Sequence, residues 1–364
     1  MQSKFRLLVV RLGAMGDILH ALPAVTALRL AHPGWQIDWV VEPGWASLLT
    51  ADPKSDSGAV RGPAQPLVDN IHLAPVKAWA RSPLSSKTRR EINQLRKSLR
   101  AGQYDAVLDF QGAVRSALIG KLAGCPRLIG EAVPREPAAK WLFSERVETH
   151  GVHVIEQDVE VASAVAGDAL EPVAPLLPVD QAAETWCDKL LRTCTDNASP
   201  HPSAEPIVLL NPGAGWGAKR WPVERYAAVA HGLAERGFCT VVNAGPGEEE
   251  LAETIRRQSG SEVLTAACSV SQLIALTRRV CLAIAGDTGP LHLACALSKP
   301  AVGIFGPTDP ARNGPYATRF RVLRSAESRR DHTRRDEPEA GLLTIQPEDV
   351  LKAADELLVK EAVR

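Results

Sequence analysis

The sequence carries no net charge: 42 Lys and Arg residues balance 42 Asp and Glu, and the isoelectric point lies near 7.1. A general nucleic-acid binder would show a basic excess at this level, so that class is disfavoured. No stretch approaches the ~20 consecutive apolar residues that a membrane span requires. The opening Met-Gln-Ser-Lys-Phe-Arg runs straight into Leu7-Leu-Val-Val10 and has no small-residue cleavage site, so no secretory leader is expected. Seven Cys residues (125, 187, 194, 239, 268, 281 and 295) are odd in number, scattered through apolar contexts and without zinc-ligand spacing. They read as reduced thiols of a cytoplasmic protein. The Gly-x-Gly-x-x-Gly of dinucleotide folds and the Walker A spacing are both absent, which disfavours a nicotinamide-dependent oxidoreductase.

What is present is material for about two domains: 364 residues, 45% hydrophobic and 23% charged. The richest stretch is Leu282 to Asp309. An apolar run ends in Gly286-Asp-Thr-Gly289, a small-residue helix follows from Pro290 to Leu297, and a second apolar run ends in Gly306-Pro-Thr-Asp309. Two strands thus deliver polar groups at their carboxyl ends, where open α/β sheets bind ligands. Thr288 and Gly289 fall at a helix N-terminus, which suits an anion such as a phosphate.

The same grammar recurs along the chain. Phe5 to Val10 leads through a glycine turn into a helix from Ile18 to Ala31, with Asp17 at its start. By the residues alone, Asp17 is either a capping carboxylate or a general base at the strand's carboxyl edge. Tyr104 to Phe110 ends in Asp109-Phe-Gln-Gly112, followed by a helix carrying Arg115; Gln111 reads as a turn residue or a ligand contact. The stretch from Lys77 to Arg90 is the most basic part of the chain, either a solvated helix face or a landing surface for phosphates and carboxylates. In the second half, Ile207 to Leu210 precedes a glycine-rich loop that includes Gly213 and ends in Lys219-Arg220, a phosphate cradle in outline or a flexible loop. Glu248, after the strand Thr240 to Asn243, could bind ribose hydroxyls or merely favour a helix dipole. The alternation of strands and helices indicates doubly wound parallel sheets, with a boundary near residue 180. Residues 53–67 and 324–341 read as loose loops, and Pro347 to Val359 as an amphipathic terminal helix.

Six segments taken together resemble the lipopolysaccharide heptosyltransferases, glycosyltransferase family 9. They are Leu12-Gly-Ala-Met-Gly-Asp-Ile-Leu-His-Ala-Leu-Pro23, Asp109-Phe-Gln-Gly-Ala-Val-Arg-Ser116, Ala218-Lys-Arg-Trp-Pro222, Gly245-Pro-Gly-Glu-Glu249, Gly286-Asp-Thr-Gly-Pro-Leu-His-Leu293 and Phe305-Gly-Pro-Thr-Asp-Pro310. They span nearly the whole chain and keep the family's order. The first half is similar to type I and the second to type II, with Ala214-Gly215 where type I carries hydroxyl residues.

The resemblance implies a GT-B fold, an α/β architecture of two Rossmann-like doubly wound parallel-sheet domains facing a central cleft. Residues 1–180 would bind the acceptor, 181–345 the nucleotide sugar, and 346–364 would return as a helix to the first domain. It implies inverting transfer of a heptose from ADP-heptose to the inner core, Kdo or heptose, of lipopolysaccharide, with no metal and no cofactor beyond the donor. Asp17 matches the catalytic base, Lys219 the donor-phosphate cation and Glu248 the ribose acid. Asp287, Thr288, Gly289 and His292 match the donor-binding turn, and Gly213 lies in the donor loop. Lys87, Arg89, Arg90, Gln111 and Arg115 are the acceptor-binding candidates. The implied partner is an anionic glycolipid of the lipid A–Kdo type. The implied location is the cytoplasm, at the cytoplasmic face of the inner membrane. A nucleotide-sugar epimerase and a non-catalytic nucleotide-sugar-binding protein are the alternatives.

Overall fold

The computed structural model describes residues 4–52, 61–196, 206–331 and 335–358. They form two compact units, Met1–Val179 and Asp180–Arg364.

In the first unit the elements run β1 (Arg6–Val10), α1 (Met15–Ala31), β2 (Gln36–Val41), β3 (Asn70–Leu73), α2 (Val76–Arg81), α3 (Ser86–Ala101), β4 (Ala106–Asp109), α4 (Val114–Leu122), β5 (Leu128–Glu131), β6 (Glu145–Val147) and α5 (Val154–Ala166). All six strands are parallel, in the order β3-β2-β1-β4-β5-β6. The central strand β1 is fully buried over Leu7 to Val10, as expected where helices cover both faces. Each such side chain contributes roughly 1.5–3 kcal/mol by leaving water. Helix α1 packs with α5, while α3 turns Leu95 and Leu99 into a core with Leu8, Val10 and Val107.

The second unit comprises α6 (Gln181–Asp196), β7 (Ile207–Asn211), α7 (Val223–Ala234), β8 (Cys239–Ala244), α8 (Glu249–Gln258), β9 (Val263–Ala267), α9 (Val270–Arg279), β10 (Leu282–Gly286), α10 (Gly289–Ala296), β11 (Ala301–Phe305), α11 (Pro310–Asn313), β12 (Phe320–Arg324) and α12 (Pro347–Leu358). Its sheet, β12-β11-β10-β7-β8-β9, is again wholly parallel and repeats the connectivity of the first. Both sheets reverse their winding direction once, between β1 and β4 and between β7 and β10. The crevice beyond the strand ends at such a switch point is the general ligand position of this architecture.

The described residues of α12 pack on their own unit: Val350, Ala353, Ala354 and Leu357 join the core under α7, and Arg236 and Arg321 pair with Asp355 and Glu356. The apolar face of its described residues is used there. Cys239 is disulfide-bonded, so not every cysteine is a reduced thiol. Of the region 324–341, residues 332–334 lie outside the described residues, and the rest is not loose: Ser328 is buried, and the backbone of Arg335 and Glu339 pairs with the glycine-rich loop. Of the loop 53–67, residues 53–60 lie outside the described residues, and 62–65 close in a tight turn through Gly62 and Gln65.

Two candidate sites at the switch points

In the first unit the turn between β1 and α1 is held from neighbouring strands. Trp39 donates its indole N–H to the Arg11 carbonyl (3.0 Å), Leu12 N–H donates to Gln111 Oε1 (2.9 Å), and Glu42 N–H donates to the Leu12 carbonyl (3.0 Å). Asp17 then closes the helix start, Oδ2 accepting from Ala14 N–H at 2.9 Å. Its other oxygen lies 3.3 Å from Arg11 Nη2. Arg11 also donates through Nε to the Asp17 carbonyl (3.2 Å) and through Nη1 to the Phe110 carbonyl. The Arg11 side chain is 8% exposed and that of Asp17 32%, so the guanidinium is the buried brace and the carboxylate the accessible group. Asp17 therefore caps its helix and also presents an oriented carboxylate at the switch point.

Gln111 braces the turn that carries Asp17 through its Oε1. Beneath it Asp109 is buried, its Oδ1 accepting from Gln111 N–H (2.8 Å), Gly112 N–H (3.0 Å) and Ser116 Oγ–H (3.0 Å). Burial raises its carboxyl to about 6, against the opposing pull of those bonds and of Arg11. Arg115 stands exposed in the first turn of α4. Lys87, Arg89 and Arg90 are exposed in the first turns of α3, where Lys87 lies 4.0 Å from Glu91 and Ser85 caps the helix. The helix α3 connects two parallel strands, so its N-terminus lies toward the carboxyl edge of the sheet. The edge strand β3 is two places from β1, about 10 Å across the sheet. Gln111 and Arg115 thus follow β4, which adjoins β1 at the switch point, and the α3 cations open the helix that runs from the β3 side of the sheet to β4.

In the second unit Lys219 ends the glycine-rich loop in a single 3-10 turn, Gly217–Lys219. Its ammonium reaches Asp287 Oδ2 at 2.5 Å and the Asp287 carbonyl at 3.2 Å, and sits 4.7 Å above the Trp216 ring. The second Asp287 oxygen lies 3.3 Å from His292 Nε2. Burial would raise the Asp287 carboxyl, but the hydrogen bond and charge of His292 and the charge of Lys219 outweigh it and hold it well below the ordinary range. Thr288 is the N-cap of α10, its hydroxyl donating to the Gly286 carbonyl (3.3 Å), and Gly289 opens the helix. A cation and a helix N-terminus thus converge beside a carboxylate locked in its charged form, an arrangement suited to a diphosphate.

Glu248 is not part of that chain. Its Oε2 accepts from Gly245 N–H at 2.9 Å, and its carboxylate lies directly over Gly213. A side chain at Gly213 would put its Cβ 1.9 Å from that oxygen. Asn211 and Asn243, adjacent at the ends of β7 and β8, are buried and bonded at 2.9 Å. Arg11, Trp216 and the Asn pair escaped the sequence reading. Only Arg11 left a signal there, as a charge directly after a buried strand. Among the described residues no group of three or more His, Cys, Asp or Glu is placed to hold a metal ion.

The profile of glycosyltransferase family 9 (heptosyltransferase) matches residues 92–342. Lipopolysaccharide heptosyltransferase 1 of Escherichia coli K12 is 28% identical over 324 residues, 88% of this chain and 93% of that protein. Lipopolysaccharide heptosyltransferase 3 of Escherichia coli is 25% identical, covering 94% and 96%. Among solved structures, the Escherichia coli heptosyltransferase WaaC with ADP superposes with a TM-score of 0.76 at 24% identity, over 97% of this chain and all (100%) of that one. The Escherichia coli ADP-heptose lps heptosyltransferase II gives 0.73 at 21%, over 98% and 100%.

Proposed function

The chain belongs to glycosyltransferase family 9, and from that premise we propose that it transfers a heptose from ADP-heptose to an inner-core sugar of lipopolysaccharide, Kdo or heptose. The first unit takes the acceptor and the second the donor. The observation that carries the donor half is the Lys219–Asp287–His292 chain at the N-terminus of α10. The relatives' names and the ADP in the WaaC structure support the choice of nucleotide sugar.

In this reading the acceptor hydroxyl attacks the anomeric carbon from the face opposite ADP, and Asp17 takes the hydroxyl proton. As the new C–O bond forms, the bond from the anomeric carbon to the ADP oxygen breaks with inversion, and the electron pair leaves on the diphosphate. Lys219 and the amides of Thr288 and Gly289 stabilise that charge where it develops. Glu248 binds the ribose hydroxyls, and no metal or cofactor takes part. The cations Lys87, Arg89, Arg90 and Arg115 meet the acceptor's carboxylates and phosphates. No described helix is long and apolar enough to cross a membrane, and we place the enzyme at the cytoplasmic membrane face, where its lipid acceptor lies.

The test is ADP release from ADP-heptose, with and without deacylated Kdo-bearing lipid A, in wild type and Asp17→Asn. Acceptor-dependent release that collapses in the variant while ADP still binds supports the reading. Release that ignores the acceptor overturns it.

A further inference from the structure

The charged stretch after β12 has no role in the reaction as described, yet its backbone is stitched to the loop that carries Lys219. Ala218, the residue before Lys219, donates its N–H to the Arg335 carbonyl (3.0 Å) and accepts at its own carbonyl from Glu339 N–H (3.2 Å). One residue is therefore gripped on both of its backbone groups. Its neighbour Gly217 faces Asp336 backbone to backbone: a Cβ there would fall 1.8 Å from the Asp336 carbonyl oxygen and 2.5 Å from its Cα. The gripping segment is itself anchored. Glu339 Oε2 accepts from Ser328 Oγ–H (2.9 Å) and Leu342 N–H (3.0 Å), and Leu342 is buried in the core.

We propose that residues 335–339 are a positioning clamp for Lys219. The loop has three glycines between residues 213 and 217, so its conformational freedom is large and its ordering costly. By fixing Ala218 from outside, the clamp settles that cost before a ligand arrives and keeps Nζ in reach of Asp287 and the α10 N-terminus. The backbone of residues 335–339, anchored by the Glu339 side chain, acts through Lys219 and touches no reacting atom. This inference rests on the reading of Lys219 as the cation for the donor diphosphate.

The experiment measures Kd for ADP and for adenosine by titration calorimetry in wild type, Lys219→Ala, Gly217→Ala, Glu339→Ala and Asp336→Ala. Gly217→Ala forces the clamp off the loop, and the expected result is about tenfold weaker ADP binding, the size of one charge-assisted contact. Adenosine, which has no phosphate for Lys219, binds unchanged. Asp336→Ala is silent, because that residue meets Gly217 through its backbone. Glu339→Ala loosens the segment without adding bulk and shifts ADP in the same direction, which keeps the test open if Gly217→Ala does not fold. Loss of ADP affinity in Lys219→Ala with none in Gly217→Ala or Glu339→Ala overturns the clamp alone. Equal losses for ADP and adenosine also overturn it, since they mark a general structural role. Unchanged ADP affinity in Lys219→Ala overturns the Lys219 reading and the clamp with it.

Discussion

Lys219 and Asp287, 68 residues apart in sequence, meet at 2.5 Å where β7 and β10 adjoin. Both are largely buried, and the pair is completed by His292 on the other carboxylate oxygen. Removing one partner of such a pair strands a buried charge, which costs about 3–5 kcal/mol. Asp287→Asn should therefore destabilise the second unit by that order at neutral pH. The sign with pH follows from the depressed carboxyl. Its stabilisation is present above the ordinary value of 3.8 and is lost as pH falls through the lower folded value. Urea denaturation of the second unit should show the gap between wild type and Asp287→Asn wide at pH 7 and narrowing below pH of about 4. A gap absent at pH 7 would mean that the pair holds nothing together.

Gly213→Ala separates packing from binding. The atom its Cβ would meet is the tip of the Glu248 side chain, 1.9 Å away, and a flexible carboxylate can swing aside. Stability should fall by less than about 1 kcal/mol, as for substitutions away from a rigid contact. Swinging aside, however, breaks the bond from Gly245 N–H and removes Glu248 from its place. ADP affinity should drop to the level of Glu248→Ala, with a melting temperature lowered by no more than about 4 °C. Undiminished ADP binding in Gly213→Ala would show that Glu248 in this position does not hold the ribose.

The two sheets were legible because their central strands are continuous apolar runs, such as Leu7 to Val10 and Leu282 to Ala285, each ending in turn residues. The strands that escaped notice, β6, β9 and β12, are all at sheet edges. Edge strands are short and polar for good reason, since an apolar edge invites aggregation. Glu145-Arg-Val147 and Phe320-Arg-Val-Leu-Arg324 show the pattern. The site was legible as residue types at strand ends. Its partnerships were not: Arg11 with Asp17, or Ala218 with Arg335 and Glu339, depend on which loops the fold brings side by side.

Asp109 sets a pH dependence in the first unit. A carboxyl raised from 3.8 to about 6 by burial keeps its proton in the folded state where the unfolded chain has lost it. The stability it confers is full below 3.8 and is lost as pH rises through about 6, a swing of at most about 3 kcal/mol. Asp109→Asn keeps an oxygen for the three donors and removes the titration. Opening free energies of β1 and β4 amides from hydrogen exchange should move in the variant's favour between pH of about 4 and 7. A constant difference across that range would place the carboxyl at its ordinary value and remove it from the acid response of this unit.

Arg11 is the brace on which the orientation of Asp17 depends. Without the guanidinium, Oδ2 still accepts from Ala14 N–H, but Oδ1 loses its 3.3 Å partner, and the carbonyls of Asp17 and Phe110 lose their donor. Arg11→Met fills the space with an apolar chain and supplies none of these bonds, so it should destabilise the first unit by roughly 1–3 kcal/mol. A misplaced base costs rate more than binding: a shift of about 1 Å is worth on the order of a hundredfold. The expected signature is a kcat reduced at least tenfold with an acceptor KM within about threefold of wild type, since the α3 and α4 cations proposed to meet the acceptor are untouched. Arg11→Lys restores one charged donor in place of the fork and should recover part of the rate. If Arg11→Met raises KM and spares kcat, Arg11 belongs to acceptor binding and Asp17 needs no brace.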